Sequence, residues 1–286
     1  HAQQAQLGAL GAVPVPDAAA IDLASQRGLP PLPAIDWPRD PVWHGVARSL
    51  ALSVLPKAPQ AAWPALQRIG VADADFLEKQ ADALLTGVMA GLDLACAPVI
   101  AAALQVYWTH MLLEVRRHHE GQGQPIGRLD DETVCPCCGS VPTASITRTA
   151  GESLGQRYLH CSLCGLQWHM VRIKCSHCLS TRSLAYQSLD SANADLGDDE
   201  DEAQSASARA ALATVQAETC DDCGHYLKIV HTDRDAFVDP AADDLATLTL
   251  DLLLADGGKQ RHGVNLMLLF GDPQAPLDPV PDSGGA

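Results

Sequence analysis

Tyr158-Leu-His-Cys161-Ser-Leu-Cys164-Gly-Leu-Gln-Trp168-His-Met-Val-Arg-Ile-Lys-Cys175-Ser-His-Cys178 carries two Cys-x-x-Cys turns with ten residues between Cys164 and Cys175. Upstream stands Cys135-Pro-Cys-Cys138-Gly, and downstream Cys220-Asp-Asp-Cys223-Gly. A Cys-x-x-Cys turn aims two sulfurs at one ion from a single tight loop, and two such turns complete the tetrahedron that zinc or a mononuclear iron prefers. The candidate metal ligands are therefore Cys135, Cys138, Cys161, Cys164, Cys175, Cys178, Cys220 and Cys223, enough for two four-cysteine sites.

Short, unthreaded connections favour sequential pairing, with the first two turns closing one site and the last two the other. Glycine follows Cys138, Cys164 and Cys223, where it lets the backbone turn so that amide N–H groups face the sulfurs. Leu179 stands in that position after Cys178, so a different geometry is expected there. Cys137 is expected to point away as a non-ligand. His160, His169, His177 and His225 flank the turns and are read as surface or packing residues, and Trp168 as a cover over a small metal core.

The rest of the chain frames these turns. Its 286 residues are 47% hydrophobic, which suits a packed protein, while 19 Lys+Arg against 35 Asp+Glu leave a net charge of −16. Such acidity repels phosphate backbones and argues against nucleic acid as a partner. Eight cysteines at metal spacing, in a chain too large to need staples, argue against a disulfide framework. Residues 1–30 show no basic stretch followed by an apolar run, and the expected location is cytoplasmic.

Prolines 14, 16, 30, 31, 33 and 38 predict an extended lead-in with one short helix at 17–26. Helices are expected over 44–55 and 61–69, and another opening at an Asp75–Glu78 capping box and ending at Gly91. Residues 97–119 give the longest helix, read as the buried centre of a bundle rather than a membrane span because Pro98 interrupts it and its tail is polar. Cys96 is read as a core thiol. Strands are expected at 144–147, 168–173 and 226–231, and one helix over 242–254 capped by Asp243. Val264–Phe270 is expected to pack on the second module. The acidic run Asp195–Glu202 lies in an expected insertion at 190–210.

The fold class expected is thus α+β and multidomain. A mostly helical unit covers 1–126, a first rubredoxin-like or zinc-ribbon-like module 127–172, and a second module 173–286 with the acidic insertion and a C-terminal helix. A closed four-cysteine site leaves no open position for a substrate, and no nucleophile–base set or phosphate loop stands elsewhere. No enzyme is expected. The alternatives are a rubredoxin-like electron carrier, a thiol-redox protein, and a zinc-ribbon scaffold or nucleic-acid module.

The Cys135-Pro-Cys-Cys-Gly-Ser140 turn, the 159–178 block with Trp168 and Arg172-Ile-Lys174, Cys220-Asp-Asp-Cys-Gly-His-Tyr-Leu-Lys228 and Asp243-Asp-Leu-Ala-Thr-Leu-Thr-Leu-Asp251 together resemble the formate dehydrogenase accessory protein family, FdhE. The match covers about residues 130–256, and Cys137 and the acidic insertion depart from the family pattern. The resemblance implies a non-catalytic, cytoplasmic assembly factor that binds the catalytic subunit of respiratory formate dehydrogenase before export. It also implies two metal ions per chain on the eight cysteines, with iron favoured and zinc the other metal the spacing admits.

Overall fold

Ala97–His118 forms a 22-residue helix that is buried on nearly every side, through Ile100, Leu104, Tyr107, Trp108, Met111 and Val115 among others. Pro98 sits in its first turn, where a missing N–H costs nothing, and Arg116, Arg117 and His118 complement the negative end of the helix dipole. The computed structural model describes residues 2–119, 126, 127, 129–148, 155–189, 210 and 212–268. Among these, no helix is long and apolar enough to cross a membrane.

Five helices precede it: α1 (Ala2–Ala9), α2 (Ala18–Gln26), α3 (Val42–Val54), α4 (Trp63–Val71) and α5 (Ala74–Thr86); the long helix is α6. α1, α3 and α5 pack on α6, and α4 packs on α3. Helix α1 falls where an extended lead-in was expected. Ala2, Leu7 and the following Leu10 pack against the main core, and the Gln3 amide donates to Gln105 Oε1 (2.9 Å) and Ala102 O (3.2 Å) on α6.

Helix α5 also differs from expectation at both ends. Its cap is Asp73, which accepts from Phe76 N at 2.8 Å, and it ends at Gly87 (φ 72°), not at Gly91. Glu78, expected to close a capping box, instead accepts from the Trp43 indole (2.8 Å) and Arg39 Nε (2.7 Å) and meets His44 Nε2 (2.7 Å), so it ties α5 to α3.

The strands are β1 (Pro142–Thr147), β2 (Arg157–Cys161), β3 (Gln167–His169), β4 (Leu184–Gln187), β5 (Val215–Cys220), β6 (His225–His231) and β7 (Gln260–Arg261). β1–β2–β3 and β4–β5–β6 are two antiparallel meanders, one in each four-cysteine half. They do not stay separate. β1 pairs in parallel with β6 (Ser145 opposite Ile229, Thr147 opposite His231), giving one sheet in the order β3-β2-β1-β6-β5-β4, and β7 pairs in parallel with the first residues of β6. Residues 170–173, expected to prolong β3, turn away, and Arg157 donates to the Lys174 carbonyl at 3.0 Å.

The expected single C-terminal helix is two, α7 (Pro240–Ala246) and α8 (Leu248–Asp256), broken at Thr247 and capped by Asp239 rather than Asp243. α8 packs Leu250 and Leu254 on Ala217 and Tyr226. Beyond β7 the chain runs back over the first half: Val264 N donates to Pro142 O (3.0 Å), and Leu266 joins the main core beneath the helices rather than the second half. Gly263 permits that crossing, since a Cβ there would lie 2.4 Å from Thr143 O and 2.6 Å from Leu227 Cδ1. The expected linker at 121–125, most of the acidic insertion and the last residues lie outside the described residues.

Candidate metal centres

Each meander brings two Cys-x-x-Cys turns together in the same way. The first turn of each half precedes the opening strand, and the second joins the middle strand to the last, because β2 ends at Cys161 and β5 at Cys220. Cys135, Cys138, Cys161 and Cys164 therefore meet at one end of the first meander, and Cys175, Cys178, Cys220 and Cys223 at the same end of the second. The pairing is sequential.

In the first cluster the Sγ–Sγ separations are 3.6 Å (Cys135–Cys164), 3.4 Å (Cys138–Cys161) and 3.7 Å (Cys138–Cys164). In the second they are 3.8 Å for both Cys175–Cys223 and Cys178–Cys220. A tetrahedral ion with metal–sulfur bonds of about 2.3 Å sets sulfur–sulfur edges near ~3.8 Å, so both sets fit such an ion. All ten cysteines are free thiols. Amide groups face the sulfurs as well: Leu163 N and Cys164 N point at Cys161 Sγ, and His177 N at Cys175 Sγ, each at 3.4 Å.

The turns share one backbone geometry. Cys135 N donates to Ser140 O and Gly139 N to Cys135 O, both at 2.8 Å, with Gly139 at φ 76°. The third turn repeats it with Cys175 N to Ser180 O at 2.8 Å and Leu179 N to Cys175 O at 3.1 Å. The different geometry expected there is absent: Leu179 takes the left-handed conformation itself, at φ 62°. That costs a side-chain-bearing residue about 1–2 kcal/mol, and the packing of Leu179 against Leu159, Met170 and Leu227 offsets it.

Electrostatics separates the clusters. The first is buried at all four cysteines, within the same apolar core as α3–α6. Burial and bonds from neighbouring thiols push Cys135 and Cys164 well above the usual thiol range, while Cys138, equally buried, is held well below it by bonds from Cys135, Cys161, Cys164 and Ser140. Packing four thiolates here without a cation would be prohibitive. In the second cluster Cys175 and Cys220 are buried, Cys223 is half-buried and Cys178 is exposed. Burial pushes Cys223 up to about 12.

The helical bundle grips the first cluster by its backbone. Gln105 donates to Ser162 O (2.8 Å) and Thr109 to Cys164 O (3.3 Å) from α6, while Leu32 N and Ala34 N donate to the carbonyls of Cys137 and Cys138 at 3.0 and 2.9 Å. Cys137 is buried in that core and is not part of the cluster. Cys96 is a core thiol, pushed up to about 12 by burial. Trp168 is half-buried, packs against both the main core and the Leu159–Met170–Leu227 group, and donates to Glu132 O at 3.0 Å.

Two further arrangements join residues that the sequence leaves apart. His177 stacks on His225 with ring centroids 3.7 Å apart, and His262 stands edge-on to His177 at 5.0 Å. Arg157 and Glu218 form a buried pair linking β2 to β5 on one face of the sheet, and Lys228, Asp244, Asp251 and Arg261 form a second ionic group on the other face.

Comparison with known proteins covers nearly the whole chain. Residues 1–123 match the FdhE N-terminal family, 134–172 the FdhE central domain and 173–268 the FdhE C-terminal domain. The chain is 36% identical over 249 residues to the FdhE homolog of Edwardsiella ictaluri, covering 87% of this chain and 73% of that protein. It is 39% identical over 246 residues to that of Serratia proteamaculans, covering 85% and 71% respectively. The crystal structure of the FdhE protein from Pseudomonas aeruginosa is similar with a TM-score of 0.72 and 34% identity, over 95% of this chain and 86% of that one. With three family domains matched in order and a shared mixed helix-and-sheet fold, the chain belongs to the FdhE family.

Proposed function

We propose that this protein is a non-catalytic accessory factor for formate dehydrogenase maturation, which binds the immature catalytic subunit in the cytoplasm before export. The observation that carries this reading is the pair of closed four-cysteine clusters in an FdhE-family chain. Four sulfurs complete the coordination of one ion and leave no position for a substrate, so the clusters serve as scaffold or as one-electron centres. On this reading Cys135, Cys138, Cys161 and Cys164 hold one ion and Cys175, Cys178, Cys220 and Cys223 the other. The units are 1–126, 127–172 and 173–286, the latter two rubredoxin-like, and iron is the favoured metal. The metal's own contribution is thiolate-bound charge and, for iron, one-electron exchange. The chain's residues bury the first cluster and leave the second at the surface.

Two measurements test this. Anaerobically purified protein is expected to carry two irons per chain with thiolate-to-iron absorption bands, and a tagged protein is expected to retain the export-arrested catalytic subunit. Failure to retain that subunit would overturn the accessory reading. A chelator is expected to remove one ion per chain well before the other, and Cys175→Ser/Cys178→Ser protein should lack the fast phase. Equal loss from both clusters would contradict the difference in burial.

Exposed Cys178 also favours a second reading, an electron carrier, since electron exchange needs a cluster edge at the surface. Reversible reduction that is indifferent to the catalytic subunit would select it.

A further inference from the structure

The second cluster has a neighbour that the first lacks among the described residues. The ligand atoms of His177, Cys223 and His225 lie within 4.8 Å of one another, so Cys223 belongs to two potential ligand sets at once. His225 Nδ1 donates to the Cys223 carbonyl at 2.9 Å, which fixes the tautomer and leaves the Nε2 lone pair available. This is the second-shell arrangement that orients metal-binding imidazoles. The two rings stack at 3.7 Å with planes 12° apart, which sets both imidazoles side by side next to Cys223. Behind them His262 has a buried Nε2 with no hydrogen-bond partner. His177 is exposed and His225 half-buried, so the group opens to solvent beside the exposed Cys178.

We propose that His177 and His225, together with the sulfur of Cys223, form an entry site at which a borderline-soft divalent transition-metal ion engages before passing into the Cys175–Cys178–Cys220–Cys223 cluster. The inference rests on the reading that this cluster holds a metal ion. Two imidazoles and one thiolate suit zinc, cadmium, nickel or ferrous ions better than calcium or magnesium. Binding requires His177 to turn out of the stack so that the two lone pairs converge, a rotation open to a surface side chain. Cys223, shared by both ligand sets, would hold an arriving ion beside the cluster, whose four thiolates would take that ion over as a divalent ion already held there leaves into water. One divalent ion replaces another, with no net change in protons or electrons. His177 and His225 let go once four sulfurs are engaged. The exchange is therefore associative, and its rate depends on the imidazoles although the final coordination does not.

The test uses the metal-loaded protein as purified and cadmium chloride as the probe, followed by the ultraviolet absorption of cadmium–thiolate bonds. Exchange should show two phases, of which the faster, missing from Cys175→Ser/Cys178→Ser protein, belongs to the second cluster. In His177→Ala/His225→Ala protein the faster phase should slow by about tenfold or more, the scale on which oriented imidazoles affect metal binding. The slower phase and the two ions per chain should stay unchanged. Unaltered fast exchange in that variant would overturn the proposal. So would a variant holding only one ion as purified, because the histidines would then build the cluster rather than admit its metal. Parent protein that carries no metal would instead refute the metal reading of the cysteines.

Discussion

Cys161→Ser/Cys164→Ser protein is expected to lose the helical bundle along with the first metal centre. Cys135, Cys138, Cys161 and Cys164 share one core with Trp43, Leu50, Ile69, Leu77, Ile100, Leu104 and Trp108, so the cluster is part of what the helices pack on. Structural zinc in four-ligand sites contributes on the order of 10–16 kcal/mol of apparent binding energy. Whole domains are stable by about 5–15 kcal/mol. Removing two of four ligands and leaving two thiols with two hydroxyls in a dry core therefore exceeds the margin. Circular dichroism should show most of the helical signal gone, with little soluble protein recovered. The paired variant Cys175→Ser/Cys178→Ser has a much smaller expected effect. Its cluster is open at Cys178, and the apolar groups nearby are small: Ala217, Tyr226, Leu250 and Leu254, and Leu159, Met170 and Leu227 with Leu179. That variant should keep the helical signal and its main thermal transition. Equal helicity in both variants would show that the bundle stands without the first cluster.

How much of this was legible in the residues depends on how local the cause is. The four turns, their sequential pairing and the buried α6 follow from spacing within a few residues, and they read directly. The left-handed position after Cys178 was misjudged because glycine is the usual occupant, whereas Leu179 holds it by packing on residues far along the chain. The union of the two meanders depends on three register pairs, 145 with 229, 146 with 230 and 147 with 231, and no local pattern announces a parallel pairing across some 84 residues. Val171-Arg-Ile173 has the β-branched composition of a strand but turns away beside Arg157, whose guanidinium reaches the Lys174 carbonyl. His262 stands beyond the last cysteine turn, in a segment with no motif, and the pairing of β7 with β6, continued by His262 N donating to Tyr226 O at 2.9 Å, carries it beside His177.

Lys228 is the clearest case of a residue whose sequence environment misleads, and Lys228→Met is the second change with a large expected effect. In the strand His225-Tyr-Leu-Lys-Ile-Val-His231 a lysine would ordinarily point to water, yet this one is 1% exposed. Its ammonium donates to Asp251 Oδ2 (2.6 Å), to the carbonyls of Asp244 (2.8 Å) and Thr247 (3.0 Å), and to Thr247 Oγ1 (3.1 Å). These partners lie on α7, at the break and on α8, so one side chain fastens both helices to β6. Arg261 closes the group, with Nη2 on Asp244 Oδ2 at 2.6 Å and Nη1 on Asp251 Oδ1 at 3.1 Å, while Asn265 and Tyr226 donate to the same two carboxylates at 2.9 and 2.8 Å. Two cations thus balance two buried anions. Methionine preserves length and apolar bulk but removes one cation and strands a carboxylate, a change that costs about 3–5 kcal/mol for a buried pair. Urea unfolding should show a midpoint lowered accordingly. Adding Asp251→Asn to Lys228→Met restores neutrality, and if charge is the cause the double variant should recover at least ~1 kcal/mol over the single one. If the two changes simply add, the loss comes from the hydrogen bonds that hold the α7–α8 break, and the charge balance of the group contributes nothing measurable.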